Sequence, residues 1–138
     1  MPRKSLSPTV LRALFDVSRE TTFERDLDPK RDRDALSQIL LDLCERLSGD
    51  LKRKGYRGKT IGMKLRYADF HTATRDTDLR TAVDDAQSIR DAVRSCLKRV
   101  PLNARLRLLE VRAESFRLHH DDTGVLRRRR AALVAFAQ

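Results

Sequence analysis

The side chains most able to do chemistry in this sequence are cations. Lys52, Arg53, Lys54, Arg57, Lys59, Lys64, Arg66 and Arg75 fall in one stretch, with only Asp69 among them as an acid. Lysine and arginine at this density neutralise phosphates and release the counterions condensed on a nucleic-acid backbone. The plain alternative is a solvated charged surface. A formal net charge of +10, from 30 Lys and Arg against 20 Asp and Glu, tilts the balance toward a polyanion. Nucleic acid comes first, and an anionic membrane second.

Other candidate chemistry falls away on inspection. Gly58-Lys59-Thr60 resembles the end of a phosphate-binding loop, but that loop needs a glycine where this chain has Arg53 and sits between a strand and a helix. His119, His120, Asp121 and Asp122 are consecutive, and consecutive residues converge poorly on one ion. His71, His119 and His120 stand beside no nucleophile motif. Asp84 and Asp85 suit helix capping better than metal binding. Cys44 and Cys96 lie in helical patterns and read as buried structural thiols of a reducing compartment. No catalytic residue, metal site or cofactor is therefore expected in this chain. Aromatic content of 5% with no Trp argues against a base-stacking platform. No apolar run approaches the ~20 residues of a membrane span, and no apolar signal core follows the basic start. The expectation is a cytoplasmic protein with no membrane partner.

The elements that must position the cations follow from periodicity. Residues 16–26 are rich in β-branched side chains and read as a strand. Asp28-Pro29 predicts a helix start, and Leu36, Ile39, Leu40, Leu43, Leu47 and Leu51 recur at helical spacing until Gly55. Ile61, Met63, Leu65 and Tyr67 alternate with Gly62, Lys64, Arg66 and Ala68, so Lys64 and Arg66 face away from the core. A hairpin is expected near Asp69-Phe70, then a third strand through "HTATRDTDL". Ala86, Ile89, Val93, Leu97 and Val100 mark a second helix stopped by Pro101. "RLRLLEVRAESF" closes the pattern, with a phase slip at Leu108-Leu109 that predicts a bulge. The result is an α+β chain of order β-α-β-β-α-β: a four-stranded antiparallel sheet, two helices on one face, and an open basic face. Residues 1–15 read as a linker or short helix, 16–116 as the domain, and 117–138 as a basic tail containing Arg127 to Arg130.

"SRETTFERDL" (residues 18–27), "KGYRGKTIGMKLRYADFHTATRDTDL" (residues 54–79) and "RLRLLEVRAESF" together resemble the little finger domain of Y-family DNA polymerases of the bacterial DNA polymerase IV type. The resemblance covers residues 16–116 and implies the same β-α-β-β-α-β fold. It implies a C-terminal accessory domain that grips primer-template duplex DNA with its open sheet. It also implies a part in damaged-DNA binding, translesion synthesis and DNA repair. By position, Arg19, Thr22, Thr74 and Arg75 match backbone-contacting positions of that family. Lys64 and Arg66 join them from strand phase.

The palm domain, with the carboxylates that hold Mg2+ for phosphoryl transfer, has no counterpart among these residues. The chain alone is expected to bind DNA and not to polymerise it, whether as a piece of a larger polymerase or as a stand-alone domain. The implied partners are duplex or primer-template DNA and a polymerase's palm and thumb, with a monomer expected. The final residues, "LVAFAQ", lack the short clamp-binding pattern of many such polymerases, so clamp binding is not expected. The alternatives are an RNA-binding or a protein-interaction domain on a similar split β-α-β scaffold. The absence of outward aromatics beside Lys64, Arg66 and Ala68 counts against the RNA reader.

Overall fold

The structure, a computed structural model, describes residues 14–117. The elements run β1 (Phe15–Leu27), α1 (Arg33–Lys54), β2 (Tyr56–Tyr67), β3 (Thr72–Val83), α2 (Ala86–Leu97) and β4 (Leu106–Arg117). The strands form one sheet of order β1-β4-β2-β3, and every pairing is antiparallel. β4 is thus inserted between the two strands that α1 connects, the split β-α-β arrangement expected from the pattern.

Alternation decides which face is covered. Val17 and Phe23 of β1, Ile61, Met63 and Leu65 of β2, and Leu109, Val111 and Ala113 of β4 enter one buried cluster. Leu43, Cys44, Leu47 and Leu51 of α1 and Ile89, Val93 and Cys96 of α2 complete it. Both helices therefore share one face. Ser48 of α1 is buried and donates to the carbonyl of Asp84 at 2.6 Å, which ties the helix to the turn before α2. The two cysteines are buried free thiols, and burial pushes Cys44 up to about 12.

Three boundaries differ from the sequence reading. Asp28-Pro29 does not begin α1. The Asp28 carboxylate accepts from the backbone N–H of Lys30 and Arg31, and its carbonyl accepts from Asp32 N–H, forming a turn before the helix. The capping side chain and the proline serve that turn, and α1 starts at Arg33. α2 ends at Leu97, ahead of Pro101, and Val100 is buried in the turn that follows. The bulge lies at Arg107 and not at Leu108-Leu109. β4 passes from Leu106 opposite Tyr67 to Leu108 opposite Arg66, so Arg107 is the extra residue. Leu108 and Leu109 are both buried, but on opposite faces. Two adjacent buried leucines look like a slip in a sequence even when the strand is regular there.

The remaining ends follow the reading. Gly55 closes α1 at φ 72, the left-handed region open to glycine, after the cationic Lys52, Arg53 and Lys54. The β2–β3 hairpin turns at Phe70, which takes φ 73. Asp85 caps α2 by accepting from Ser88 N–H at 2.9 Å. Replacing Asp85 with Ala should cost about 1 kcal/mol of stability, read as a lower urea midpoint with an unchanged slope.

Candidate nucleic-acid interface

The uncovered face is built from the alternate residues of four strands in register. Thr22, Leu108, Arg66 and Thr72 form the cross-strand rank nearest the β2–β3 hairpin. Glu20, Glu110, Lys64 and Thr74 form the next. Ser18, Arg112, Gly62 and Asp76 follow, then Asp16, Glu114, Thr60 and Asp78. Thr22, Lys64, Arg66 and Thr74 are thus brought together on the open face.

The expected basic character of this face is limited to part of it. Strand phase read along β2 alone shows Lys64 and Arg66, but β4 sets Glu110 beside Lys64, and β1 and β3 add Glu20, Asp16, Asp76 and Asp78 elsewhere on the face. Lys64 Nζ lies 4.0 Å from Glu110 Oε1. Arg112 reaches across β2 to pair with Asp76. Gly62 makes that pairing possible, since a Cβ there would stand 2.0 Å from an Asp76 carboxylate oxygen and 3.0 Å from Arg112. Arg66 forms no ion pair among the described residues, and its Nε is buried without a hydrogen-bond partner. It occupies the rank beside Thr22 and Thr72 that carries no acid.

Arg19 and Arg75 stand elsewhere. Arg19 follows Val17 onto the helix side, where Nε and Nη2 donate to both oxygens of Asp50 at 2.7 and 2.9 Å. Asp50 is 6% exposed and also accepts from Arg53. Arg75 lies opposite Met63 and so projects to the helix side of the outermost strand. Its Nε donates to the Arg99 carbonyl at 3.2 Å. A strand's period of two, applied to Thr22 and Thr74, would have separated Arg19 and Arg75 from them. The same phase reading of "RLRLLEVRAESF" would have found Arg112 and Glu110.

Among the described residues no cluster of His, Cys, Asp and Glu could hold a metal ion, and no helix is long and apolar enough to cross a membrane. The His119 to Asp122 run, the Arg127 to Arg130 run and residues 1–13 lie outside the described residues.

Comparison with known proteins gives this geometry a context. The family described as the impB/mucB/samB family C-terminal domain matches residues 16–126. DNA polymerase IV of Streptococcus suis is 36% identical over 87 residues, covering 62% of this chain and 24% of that protein. DNA polymerase IV of Clostridioides difficile is 36% identical over 101 residues, covering 72% of this chain and 27% of its own length. The chain thus spans about a quarter of the length of these relatives. A structure titled as a complex of the beta-clamp processivity factor and the little finger domain of PolIV matches with TM-score 0.54 at 16% identity. It covers 76% of this chain and 92% of that one. An insertion ternary complex of Dbh DNA polymerase matches with TM-score 0.58 at 13% identity, over 76% of this chain and 29% of that one.

The Arg19–Asp50 pair sets a pH dependence. The Arg19 hydrogen bonds, and then the charges of Arg19 and Arg53, hold the Asp50 carboxyl below its ordinary value, against the opposing effect of burial. A folded-state value below the unfolded one adds stability that is present above about pH 4 and lost as pH falls through the folded value. Asp50→Asn should therefore lower stability at pH 7 by about 1–3 kcal/mol. The gap to wild type in urea titrations should close below about pH 4.

Proposed function

We propose a backbone-binding role from one premise: the chain belongs to the impB/mucB/samB family as its C-terminal domain, the little finger of Y-family DNA polymerases of the DNA polymerase IV type. In this reading it holds primer-template duplex DNA through its phosphates, with little sequence preference, and the chemistry belongs to palm and thumb domains. The Mg2+ ions of that chemistry would sit on the palm, and this chain would supply none of their ligands. Translesion synthesis on damaged DNA, action as a monomer and a cytoplasmic setting come with the same reading.

The observation that carries it is the hairpin end of the open face. There Arg66, without an acid partner among the described residues, stands between Leu108 and Thr72, with Thr22 beyond Leu108 in the same rank and Lys64 and Thr74 in the next. A guanidinium and hydroxyls on a rigid sheet can donate to phosphate oxygens without reading base edges. Glu20 and Glu110 in the second rank and the Asp16, Glu114 and Asp78 group in the last disfavour a polyanion there. The supported contact is therefore with the hairpin end.

Fluorescence anisotropy of a labelled primer-template across a salt series tests the role. Wild type should bind with an affinity that falls as a steep power of salt. Arg66→Gln should weaken binding equally on unrelated sequences and reduce the slope of log K against log salt by about 1. A loss confined to particular sequences would point to base readout. Weak, salt-insensitive binding would favour the protein-interaction alternative.

A further inference from the structure

Carboxylates neutralise several of the arginines around the sheet. Arg19 meets Asp50, Arg25 meets Asp32, Arg107 lies 3.7 Å from Asp26, and Arg112 pairs with Asp76. At the outer edge of β3 two guanidiniums are held differently. Arg75 donates from Nε to the Arg99 carbonyl at 3.2 Å and from Nη1 to the Thr74 carbonyl at 2.7 Å. Arg99 donates from Nη2 to the Asp76 carbonyl at 2.8 Å and toward Cys96 Sγ at 3.4 Å. Neither forms an ion pair among the described residues. Asp76, the acid next to Arg75 in the chain, gives its carboxylate to Arg112 on the other face.

The placement of Arg99 is fixed by the fold. Its loop joins α2 to β4 and is pinned to the hairpin end. Tyr67 donates its hydroxyl to the Pro101 carbonyl at 2.5 Å. Ala68 N–H donates to the Arg105 carbonyl at 2.9 Å, and Val100 is buried. Two like charges oriented by neutral carbonyls repel each other, and each guanidinium keeps further donors unused. An anion with several oxygens answers both conditions. β3 is also a terminal strand of the sheet, whose outer backbone groups have no strand partner.

We propose that Arg75 and Arg99 form one phosphate seat at the β3 edge, and that its ligand is a phosphodiester of the duplex. This rests on the DNA-binding reading above and extends it. The grip passes from the open face around the sheet edge, and the α2–β4 loop contributes a DNA-binding residue that no strand pattern reveals.

Anisotropy with labelled primer-template DNA over a salt series decides the matter for wild type, Arg75→Gln, Arg99→Gln, the double variant and Arg46→Gln. Arg46 pairs with Asp42 on α1, away from the seat. Each single seat change should weaken binding about tenfold and lower the salt slope by about 1. The double variant should lose less than the product of the two, since both arginines serve one anion. Arg46→Gln should bind as wild type does. Arg99→Lys keeps the charge without the planar fork, so it should retain the slope and lose affinity. It also serves if thermal denaturation shows that Arg99→Gln is poorly folded. Wild-type affinity and slope in folded Arg99→Gln, or in Arg99→Lys where only that variant folds, would overturn the seat and leave the open-face grip standing. Absence of wild-type binding at low salt would overturn both.

Discussion

β2 and β4 pair along nearly their whole length, from Tyr56 opposite Arg117 to Tyr67 opposite Leu106. The other strands and both helices take their places from that ladder. Met63 opposite Val111 and Leu65 opposite Leu109 give the helices a continuous apolar floor. The same register places Lys64 opposite Glu110 and Gly62 opposite Arg112 on the outer side. A one-residue slip would exchange the two faces, sending Lys64 and Arg66 into the core. Burial of Ile61, Met63, Val111 and Ala113 at 0–1% exposure makes that slip prohibitive. The charge pattern outside is thus fixed by apolar packing inside.

The arginines show how differently one residue type can be employed. Arg19 is spent on a buried carboxylate of α1 and locks an edge strand to a helix. Arg112 crosses a glycine to join the two strands that flank β2. Arg107 lies 4.6 Å over the ring of Phe70, the residue that turns the hairpin. The gross count of 30 Lys and Arg therefore overstates the cation available to a partner. Among the described residues, eight of these cations pair with carboxylates: Arg19, Arg25, Arg46, Arg53, Arg57, Lys64, Arg107 and Arg112.

The fold was legible because its signals were local and redundant. Leu40, Leu43, Leu47 and Leu51 kept helical spacing, Ile61 to Tyr67 kept period two, and Gly55 and Asp85 marked ends that only such residues mark well. What was not legible depended on neighbours distant in sequence. Nothing within β2 announces that Glu110 will stand beside Lys64. Nothing beside Arg19 announces Asp50, 31 residues away. Asp28-Pro29 carried a real capping signal that the chain used for the preceding turn. Lys64 and Arg66 were placed on the open face because period two suffices within one strand, and Thr22 and Thr74, taken from family position, fall on the same face. Arg19 and Arg75 came from family position, and the structure puts them on the other side.

The insertion of β4 between β1 and β2 has a consequence for assembly. Ser115, late in β4, donates to the carbonyl of Phe15 at the start of β1, a hydrogen bond spanning 100 residues. As a chain leaves the ribosome, α1 and the β2–β3 hairpin can form from nearby residues, but β1 has no strand to join until β4 emerges. Closing such distant pairings is slow relative to local ones. Until then the apolar underside of β1 and β2 lies open to solvent or to a chaperone. The open face exists only once the last strand is threaded between the first two, so completion of the sheet is a single late event and not a gradual accretion.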